Sequence, residues 1–182
     1  MTRVSHALIV GGSGMLAGLG RKLLDRGATL SILARNQARI RAVSPAVTAL
    51  VCDYRDEAGI EAALAADAKA HGTPDLIVAW IHPRTPELRR RLARAVAPGG
   101  RFVQVLGSGV GDPAHPDRFA AMTACADGAA VVQQAVLLGF VIAGGHSRWL
   151  TNDEISEGVF AALESGAAVS TVGTLTPWSA RP

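Results

Sequence analysis

Short apolar runs alternate with amphipathic segments along the chain, and this alternation predicts strands separated by helices. An apolar run at residues 6–10 precedes a segment, residues 15–26, whose apolar positions recur with helical spacing. Further apolar runs follow at "ATLSILA", "AVTALVCD", "DLIVAWI" and "RFVQVLG". Strands separated by helices of about 10–15 residues are typical of a parallel sheet with right-handed crossovers. We therefore expect an α/β fold of three layers, with a doubly wound, mostly parallel sheet between helices.

The pattern after residue 110 leaves more than one assignment open. "GDPAHPDRFA" is typical of a loop, whereas "AAVVQQAVLLGFVIAGG" fits a helix, a strand, or one followed by the other. We expect a helix to about Gln133 and a strand over residues 136–143. Thr151 and Glu154 have the spacing of a capping box, which predicts a helix from there to Gly166. The stretch "AAVSTVGTL" predicts a last strand.

Length and composition indicate one soluble globular domain. The 182 residues suffice for a single domain, which we expect to span residues 1–182. Hydrophobic residues make up 49% of the chain and charged residues 18%, and no apolar run is long enough to span a bilayer. The first apolar run is too short for a signal peptide, and two cysteines offer neither a disulfide framework nor a Cys-x-x-Cys pair. These features predict a cytoplasmic protein with no membrane partner.

The charge of the chain argues against a nucleic-acid partner. The formal net charge of +3 is mild, and much of the basic excess lies in "RTPELRRRLARAV". In a helix this segment places Leu88, Leu92 and Val96 on one stripe and Arg90 and Arg94 on the other side, which is typical of a solvated amphipathic helix. Nucleic-acid binding normally adds aromatic residues or a second basic element. His6, His71 and His146 lack metal-ligand spacing, so no metal site is predicted either.

Glycines crowd the junction between the first strand and the first helix. The first amides of a helix lack internal partners and carry the positive end of its dipole, so a phosphate binds there if the backbone can approach closely. The patterns Gly12-x-Gly14-x-x-Ala17 and Gly11-x-x-Gly14-x-x-Ala17 both fit a dinucleotide-binding turn. A tight strand-to-helix turn is the alternative explanation of the same glycines. We predict a Rossmann-like site whose cofactor contacts come from this turn: Gly11, Gly12, Ser13, Gly14, Met15 and Leu16.

The end of the second strand favours NADP over NAD. An NAD site normally places Asp or Glu there, which binds the ribose 2′-hydroxyl and repels a 2′-phosphate. Here no carboxylate occurs from Thr29 to Val51, and Arg35 lies about 20 residues beyond the glycines. Arg35, with Asn36 and Arg39 as further candidates, can pair with a 2′-phosphate. The alternative is that Arg35 is an ordinary solvated arginine.

Three stretches carry a family resemblance: "ALIVGGSGMLAGLGRKLLDRGATLSILARNQARI", "VCDYRDEAGI" and "RFVQVLGS". Together they resemble the short-chain dehydrogenase/reductase family over about residues 6–110. The resemblance implies a Rossmann-like sheet and a nicotinamide cofactor, with Asp53 and Tyr54 at its adenine end. It also implies that Ser108, at the end of the fifth strand, stands where that family has its catalytic serine.

Two features depart from the family pattern. The family's Asn-Ala-Gly segment after the fourth strand is replaced by "VAWIHPRTP", where we predict that Trp80 and Ile81 contact the cofactor. The family's Tyr-x-x-x-Lys motif is absent, because Tyr54 is the only tyrosine and Lys69 is the last lysine. In the family the tyrosine transfers a proton to or from the substrate oxygen, and the lysine lowers the pKa of that tyrosine.

His82 and Ser108 remain as candidates for catalysis. His82 follows the fourth strand, at the sheet edge where ligands bind in this architecture, and imidazole titrates near neutral pH. Ser108 would lie at the end of the neighbouring strand, with Asp112 and His115 in the loop after it. The alternatives are that His82 is a solvated turn residue before Pro83 and that Ser108 belongs to a Gly-Ser-Gly turn.

Two classes of function fit these residues. In the first, the chain is an NADP(H)-dependent oxidoreductase with unusual acid-base residues and an unidentified small-molecule substrate. In the second, it binds NADP(H) without redox chemistry, as a sensor or an interaction protein. A mean hydropathy of +0.25 and apolar segments in the C-terminal third predict a homo-oligomer, most simply a twofold dimer.

Overall fold

Strands and helices alternate through the computed structural model, which describes residues 3–81, 86–123 and 130–182. The strands are β1 (His6–Val10), β2 (Thr29–Ala34), β3 (Thr48–Val51), β4 (Leu76–Ala79), β5 (Arg101–Gly107), β6 (Val132–Leu138), β7 (Phe140–Ala143), β8 (His146–Trp149) and β9 (Val169–Val172). The α-helices are α1 (Ala17–Asp25), α2 (Gln37–Arg41), α3 (Glu57–His71), α4 (Pro86–Arg94), α5 (Asp117–Thr123) and α6 (Asn152–Ser165). Short 3₁₀ turns follow at Ser108–Gly111 and Trp178–Ala180.

One parallel sheet has the strand order β3-β2-β1-β4-β5-β6-β9. The chain starts in the middle at β1, builds outward to β3, and then crosses to β4 and builds outward to β9. The order reverses between β1 and β4, where Ala7 pairs with Leu30 on one side and Leu76 on the other. In such sheets, ligands bind beyond the carboxyl ends of the strands at this reversal. The predicted doubly wound α/β fold class is confirmed.

Helices cover both faces of the sheet, which explains why its central strands form unbroken apolar runs in the sequence. All five residues of β1 are buried. Ala7 and Ile9 belong to the cluster that includes α1 and α6, whereas Leu8 and Val10 belong to the cluster that includes α3 and α4. Full burial of a leucine or isoleucine side chain contributes about 1.5–3 kcal/mol. The alternating faces of β1 therefore tie both helical layers to the centre of the sheet.

Helix α6 has both of its predicted end signals. Thr151 Oγ1 accepts a hydrogen bond from the Glu154 backbone N–H at 3.2 Å, and the Glu154 carboxylate accepts one from the Thr151 N–H at 2.8 Å. Gly166 follows the helix with a φ of +70°, a left-handed conformation that glycine adopts without strain. The predicted capping box and glycine stop are confirmed.

The prediction for the segment after residue 110 was partly wrong. Gln133 lies in β6 and not in a helix, because every residue of Val132–Leu138 pairs with β5. A continuous apolar run has no periodicity that separates a buried strand from a buried helix. The strand predicted over residues 136–143 is interrupted at Gly139, where a side chain would collide with the backbone of Thr174. Strand β7 then forms an antiparallel hairpin with β8, which the sequence analysis did not predict.

Helix boundaries differ from the predicted ones by a few residues. Helix α1 begins at Ala17 instead of residue 15, and the arginine-rich segment forms α4. Helix α5 begins at Asp117, inside a stretch that was predicted as loop.

Within the described residues, no helix combines the length and the apolar character needed to cross a bilayer.

Candidate functional site

The glycine-rich turn between β1 and α1 has no room for side chains at its first two positions. Gly11 has a φ of +79°, and a β-carbon there would collide with the backbone carbonyl oxygen of Trp80. A β-carbon at Gly12 would lie 2.5 Å from Ile9 Cγ2 and 2.8 Å from Leu16 Cβ. Both glycines are therefore required for the turn to pack against Trp80, Ile9 and Leu16.

At the next positions of the turn, a ligand would meet open space and backbone atoms. No atom lies within 4 Å of the place where Gly14 would carry a β-carbon. Leu16 occupies the N-cap position of α1, and its side chain makes no capping hydrogen bond to the first amides of the helix. Leu16 is fully buried, whereas Ser13 and Met15 are partly buried, so Leu16 can reach a ligand only through its backbone. This geometry fits the phosphate groups of a dinucleotide.

Arg35 stands beside this turn. The Gly11 N–H donates to the Leu33 carbonyl oxygen at 2.9 Å, which fixes the turn next to the end of β2. Arg35 follows two residues later and is exposed. The Asn36 side-chain oxygen is engaged as the cap of α2, since it accepts the Arg39 N–H at 3.0 Å. Arg35 therefore follows the strand end to which the glycine turn is bonded, whereas the Asn36 side chain caps α2.

Asp53 and Tyr54 follow β3, and Asp53 feels the charge of Arg35. The Asp53 carboxylate accepts hydrogen bonds from Arg55 Nη2 at 2.6 Å and Arg55 Nε at 3.1 Å. The Arg55 side chain first, then its backbone N–H, and to a smaller extent the charge of Arg35, lower the pKa of Asp53 to about 2. Tyr54 packs against the buried cluster on the α3 face. Asp53 is therefore ionised and held in one orientation next to Arg35.

The carboxyl ends of β4 and β5 meet at Trp80. Its backbone N–H donates to the Val10 carbonyl oxygen at 2.9 Å. Its ring lies 3.5 Å from the place where Gly107 would carry a β-carbon. The next residue, Ile81, is 8% exposed and packs in the cluster on the α4 face. Trp80 therefore links the glycine turn to the end of β5.

Ser108 lies directly after β5, where the sequence placed it. It is 5% exposed, and its Oγ accepts a hydrogen bond from Arg181 Nε at 2.9 Å. The guanidinium of Arg181 lies 5.0 Å from the ring centre of Trp149 and 5.2 Å from that of Trp178, which makes two cation–π contacts. The sequence analysis missed Arg181, because a single arginine 73 positions from its partner belongs to no local pattern.

Two cavities adjoin at these strand ends. The first, here called the strand-end cavity, has a volume of about 210 Å³ and is lined by residues that include Trp80, Gly107, Ser108, Leu138, Trp149 and Ile155. The second, here called the α5 cavity, has a volume of about 520 Å³ and is lined by residues that include Trp80, Ile81, Gly107, Val110, Arg118 and Met122. Trp80 and Gly107 line both, so the two cavities share a wall.

Solved structures resemble this chain in fold at low sequence identity. No protein-family model and no curated protein matches it. A short-chain dehydrogenase/reductase from Serratia marcescens superposes with a TM-score of 0.69 at 16% identity, covering 93% of this chain and 96% of that chain. A variant of actinorhodin polyketide ketoreductase with NADPH gives 0.68 at 17% identity over 94% and 96%. A metagenomic short-chain oxidoreductase in complex with NADP gives 0.62 at 21% identity over 93% and 96%. The chain has the short-chain dehydrogenase/reductase fold.

Within this short-chain dehydrogenase/reductase fold, arginines lie beside the cavities. Arg181 is bonded to Ser108, and Arg118 lines the α5 cavity. His82 lies outside the described residues, so its catalytic role stays a prediction. Among the residues that the structure does describe, no three His, Cys, Asp or Glu side chains gather into a group that could hold a metal ion.

Proposed function

We propose that the chain is an NADP(H)-dependent oxidoreductase that reduces a carbonyl group at the ends of β4 and β5. The observation that carries the cofactor is the turn after β1, where Gly11 fits against Trp80 with a positive φ and Gly14 leaves open space next to a helix end without a side-chain cap. A phosphate group can approach the backbone closely at such a turn. Arg35 adds a cation for a 2′-phosphate, which distinguishes NADP(H) from NAD(H).

Ser108 and Arg181 are placed to stabilise charge on the substrate oxygen. NADP(H) supplies the hydride for such a reduction. Negative charge then develops on the carbonyl oxygen, and a hydrogen-bond donor aimed at it lowers the barrier. Because Arg181 Nε already donates to the Ser108 Oγ, the hydroxyl hydrogen of Ser108 is directed elsewhere and can bond the substrate oxygen in the strand-end cavity. The charge of Arg181 reinforces this bond.

The proton that completes the alcohol needs a further donor. An arginine side chain stays protonated in proteins, so Arg181 does not release one. We assign this step to His82, which the sequence places after β4. The tyrosine and lysine of the family pattern are missing, and acid-base groups of this kind contribute about 10²–10⁴ in rate. We therefore expect little or no turnover with ordinary aldehydes and ketones.

A second candidate function is an NADP(H)-binding sensor or interaction protein without redox chemistry. The observation that favours it is the burial of Ser108, which is 5% exposed and bonded to Arg181 of the same chain. In this function the Arg181 contact closes the end of β5, and bound NADP(H) changes the surface that a partner recognises.

Fluorescence titration with NADPH and NADH tests the cofactor assignment. We expect NADPH to bind more tightly than NADH, and Arg35→Asp to reverse the preference, because the substitution replaces a phosphate partner with a repelling charge. Arg94→Asp, at an exposed position of α4, is the matched control and should leave the ratio of affinities unchanged. Tighter NADH binding by the wild type would show that Arg35 does not select the cofactor.

A panel of carbonyl compounds that extends beyond ordinary aldehydes and ketones to oxo acids, followed by loss of NADPH absorbance, separates the two functions. In the oxidoreductase, Ser108→Ala and His82→Ala abolish turnover while NADPH binding is unchanged, and Arg181→Lys retains more activity than Arg181→Ala. Absence of turnover with intact NADPH binding would favour the sensor. Strong turnover that survives both Ser108→Ala and His82→Ala would contradict the roles assigned to these residues.

A further inference from the structure

Among the residues that the structure describes, the side chains that line the α5 cavity are apolar except for one. Its walls include the side chains of Trp80, Ile81, Leu106, Val110 and Met122. Its volume of about 520 Å³ falls within the range of small-molecule sites, about 300–1,000 Å³. In the described part of the chain, Arg118 is the charged side chain of this lining. An apolar cavity with a single fixed charge selects a ligand that has an apolar body and one opposite charge.

Arg118 lies in the first turn of α5 and is positioned by weak contacts. Its side chain is 50% exposed, and Nη1 lies 3.4 Å from the Gly109 carbonyl oxygen and 3.7 Å from Asp112 Oδ2. Both distances are longer than those of a charge-assisted hydrogen bond, about 2.7–2.9 Å. Both contacts also use the same nitrogen, so neither engages Nε or Nη2. The guanidinium is thus oriented by the chain and can still form a bidentate pair with an external anion.

The Asp112 carboxylate competes only weakly for this arginine. It accepts the Ala114 N–H at 2.9 Å and lies 3.0 Å from His115 Nδ1. The Ala114 backbone bond first, followed by the His115 bond and the nearby positive charges, lowers the pKa of Asp112. Asp112 is therefore negatively charged, and its hydrogen bonds go to partners closer than Arg118. Its negative charge near Arg118 disfavours a doubly charged ligand. A monoanion such as a carboxylate suits this balance better than a phosphate.

We propose that the α5 cavity binds the substrate of this protein, and that the substrate is an apolar oxo acid whose carboxylate pairs with Arg118. The apolar body packs against Trp80, Val110 and Met122. Because Trp80 and Gly107 line both cavities, the other end of such a molecule would lie beside the strand-end cavity, which Ser108 lines. The redox part of this assignment rests on the proposed function, whereas the binding of a carboxylate by Arg118 does not.

Isothermal titration calorimetry with octanoate, and with octanamide as its neutral counterpart, tests the proposal on the full chain. We expect the wild type to bind octanoate more tightly than octanamide. Arg118→Gln should weaken octanoate binding about tenfold or more, as expected for loss of a hydrogen-bonded charge pair, and should leave octanamide binding unchanged. The octanoate affinity of Arg118→Lys should lie between those of the wild type and Arg118→Gln. Arg94→Gln, at an exposed position of α4, is the matched control.

Equal octanoate affinity in the wild type and Arg118→Gln, or no octanoate binding by the wild type, would overturn the proposal. Circular dichroism of the same samples shows that each variant is folded, and NADPH titration separates the two proposals. If NADPH binds and octanoate does not, the proposed substrate class is rejected, but the proposed oxidoreductase function is not. Carboxylate binding that depends on Arg118, in a chain that does not bind NADPH, supports the cavity assignment and rejects the proposed oxidoreductase.

Discussion

A buried histidine–aspartate pair lies at the amino ends of the strands, at the opposite edge of the sheet from the candidate site. His6, Ser31 and Asp67 are 4%, 0% and 2% exposed. Ser31 Oγ donates to Asp67 Oδ1 at 2.5 Å, and His6 Nε2 lies 3.3 Å from Asp67 Oδ2. His6 Nδ1 lies 2.9 Å from the Gly72 carbonyl oxygen. Both ring nitrogens therefore face acceptors, which favours the protonated imidazole.

We predict that the free energy of unfolding decreases as the pH rises above the ordinary histidine pKa of 6.5. Burial of His6 disfavours its charged form, but the hydrogen bond and charge of Asp67, the Gly72 carbonyl and the charge of Asp75 together raise its pKa above the usual 6.5. A group with a raised folded-state pKa contributes stability that is fully present below the unfolded-state pKa. That contribution is lost as the pH rises through the folded-state value. Urea unfolding at a series of pH values measures it.

His6→Gln is the variant that isolates this effect. It should flatten the pH dependence and cost about 1–3 kcal/mol at slightly acidic pH, because the buried Asp67 carboxylate loses a charged partner. His146 is exposed on β8, so His146→Gln is the matched control and should leave the pH dependence unchanged. A wild-type free energy of unfolding that stays constant from slightly acidic to slightly alkaline pH would contradict the linkage.

At the scale of the elements, α6 packs against the glycine turn and supports it. Ser156 Oγ donates to the Met15 carbonyl oxygen in the turn at 2.9 Å. A β-carbon at Gly18 would lie 2.8 Å from Ser156 Cβ and 2.9 Å from Ser156 Oγ. The missing side chain at Gly18 therefore lets α1 approach α6 closely enough for this hydrogen bond to form.

Gly18→Ala should destabilise the fold although alanine is the better helix former. Overpacking costs about 1–3 kcal/mol, and the helix propensity of alanine returns at most about 1 kcal/mol. Displacement of Ser156 should also weaken NADPH binding, because the turn loses its bond at Met15. Urea unfolding in a double-mutant cycle with Ser156→Gly checks the cause, since the cost of Gly18→Ala should approach zero in that background. A Gly18→Ala chain as stable as the wild type would exclude the clash.

The elements with strong local signals could be predicted from the sequence. The β7–β8 hairpin also has a local signal, which the sequence analysis overlooked. Strands β1 to β5 follow from apolar runs, and α6 follows from its capping box. The β7–β8 hairpin turns at Gly144 and Gly145, which have φ values of +59° and +79°. Two glycines between short strands are a known hairpin signal. The preceding apolar run hid it, because its length also suited a helix.

The candidate site also has a part that could be predicted from local sequence and a part that depends on the folded chain. The glycine turn is a local feature of a few consecutive residues, so its geometry could be predicted from them. The contact between Ser108 and Arg181 depends on the packing of the C-terminal segment against the end of β5, and Arg118 reaches the α5 cavity only because α5 folds over that strand. Arg181 and Arg118 could not be found by motif, since nothing in the sequence marks which arginine the fold will bring to Ser108 or to the α5 cavity.

At the scale of the whole molecule, the C-terminal third presents an apolar edge. Strand β9 ends the sheet beside β6, so the other side of its backbone faces outward. Val169 on β9 is 50% exposed, and the neighbouring hairpin carries Ile142 at 44% and Trp149 at 45%. Apolar side chains next to an outward-facing strand edge are typical of an interaction surface.

We predict a homodimer that forms through β9 and its surroundings. Light scattering at high micromolar concentration should give twice the chain mass of 18.8 kDa. Val169→Lys should shift the mass toward the monomer, because a charged side chain on an edge strand opposes pairing with another chain. Val51→Lys is the matched control, since Val51 is 52% exposed on β3 at the opposite edge of the sheet. Dissociation by Val51→Lys alone would move the interface to β3, and a wild type of 18.8 kDa at these concentrations would contradict the dimer.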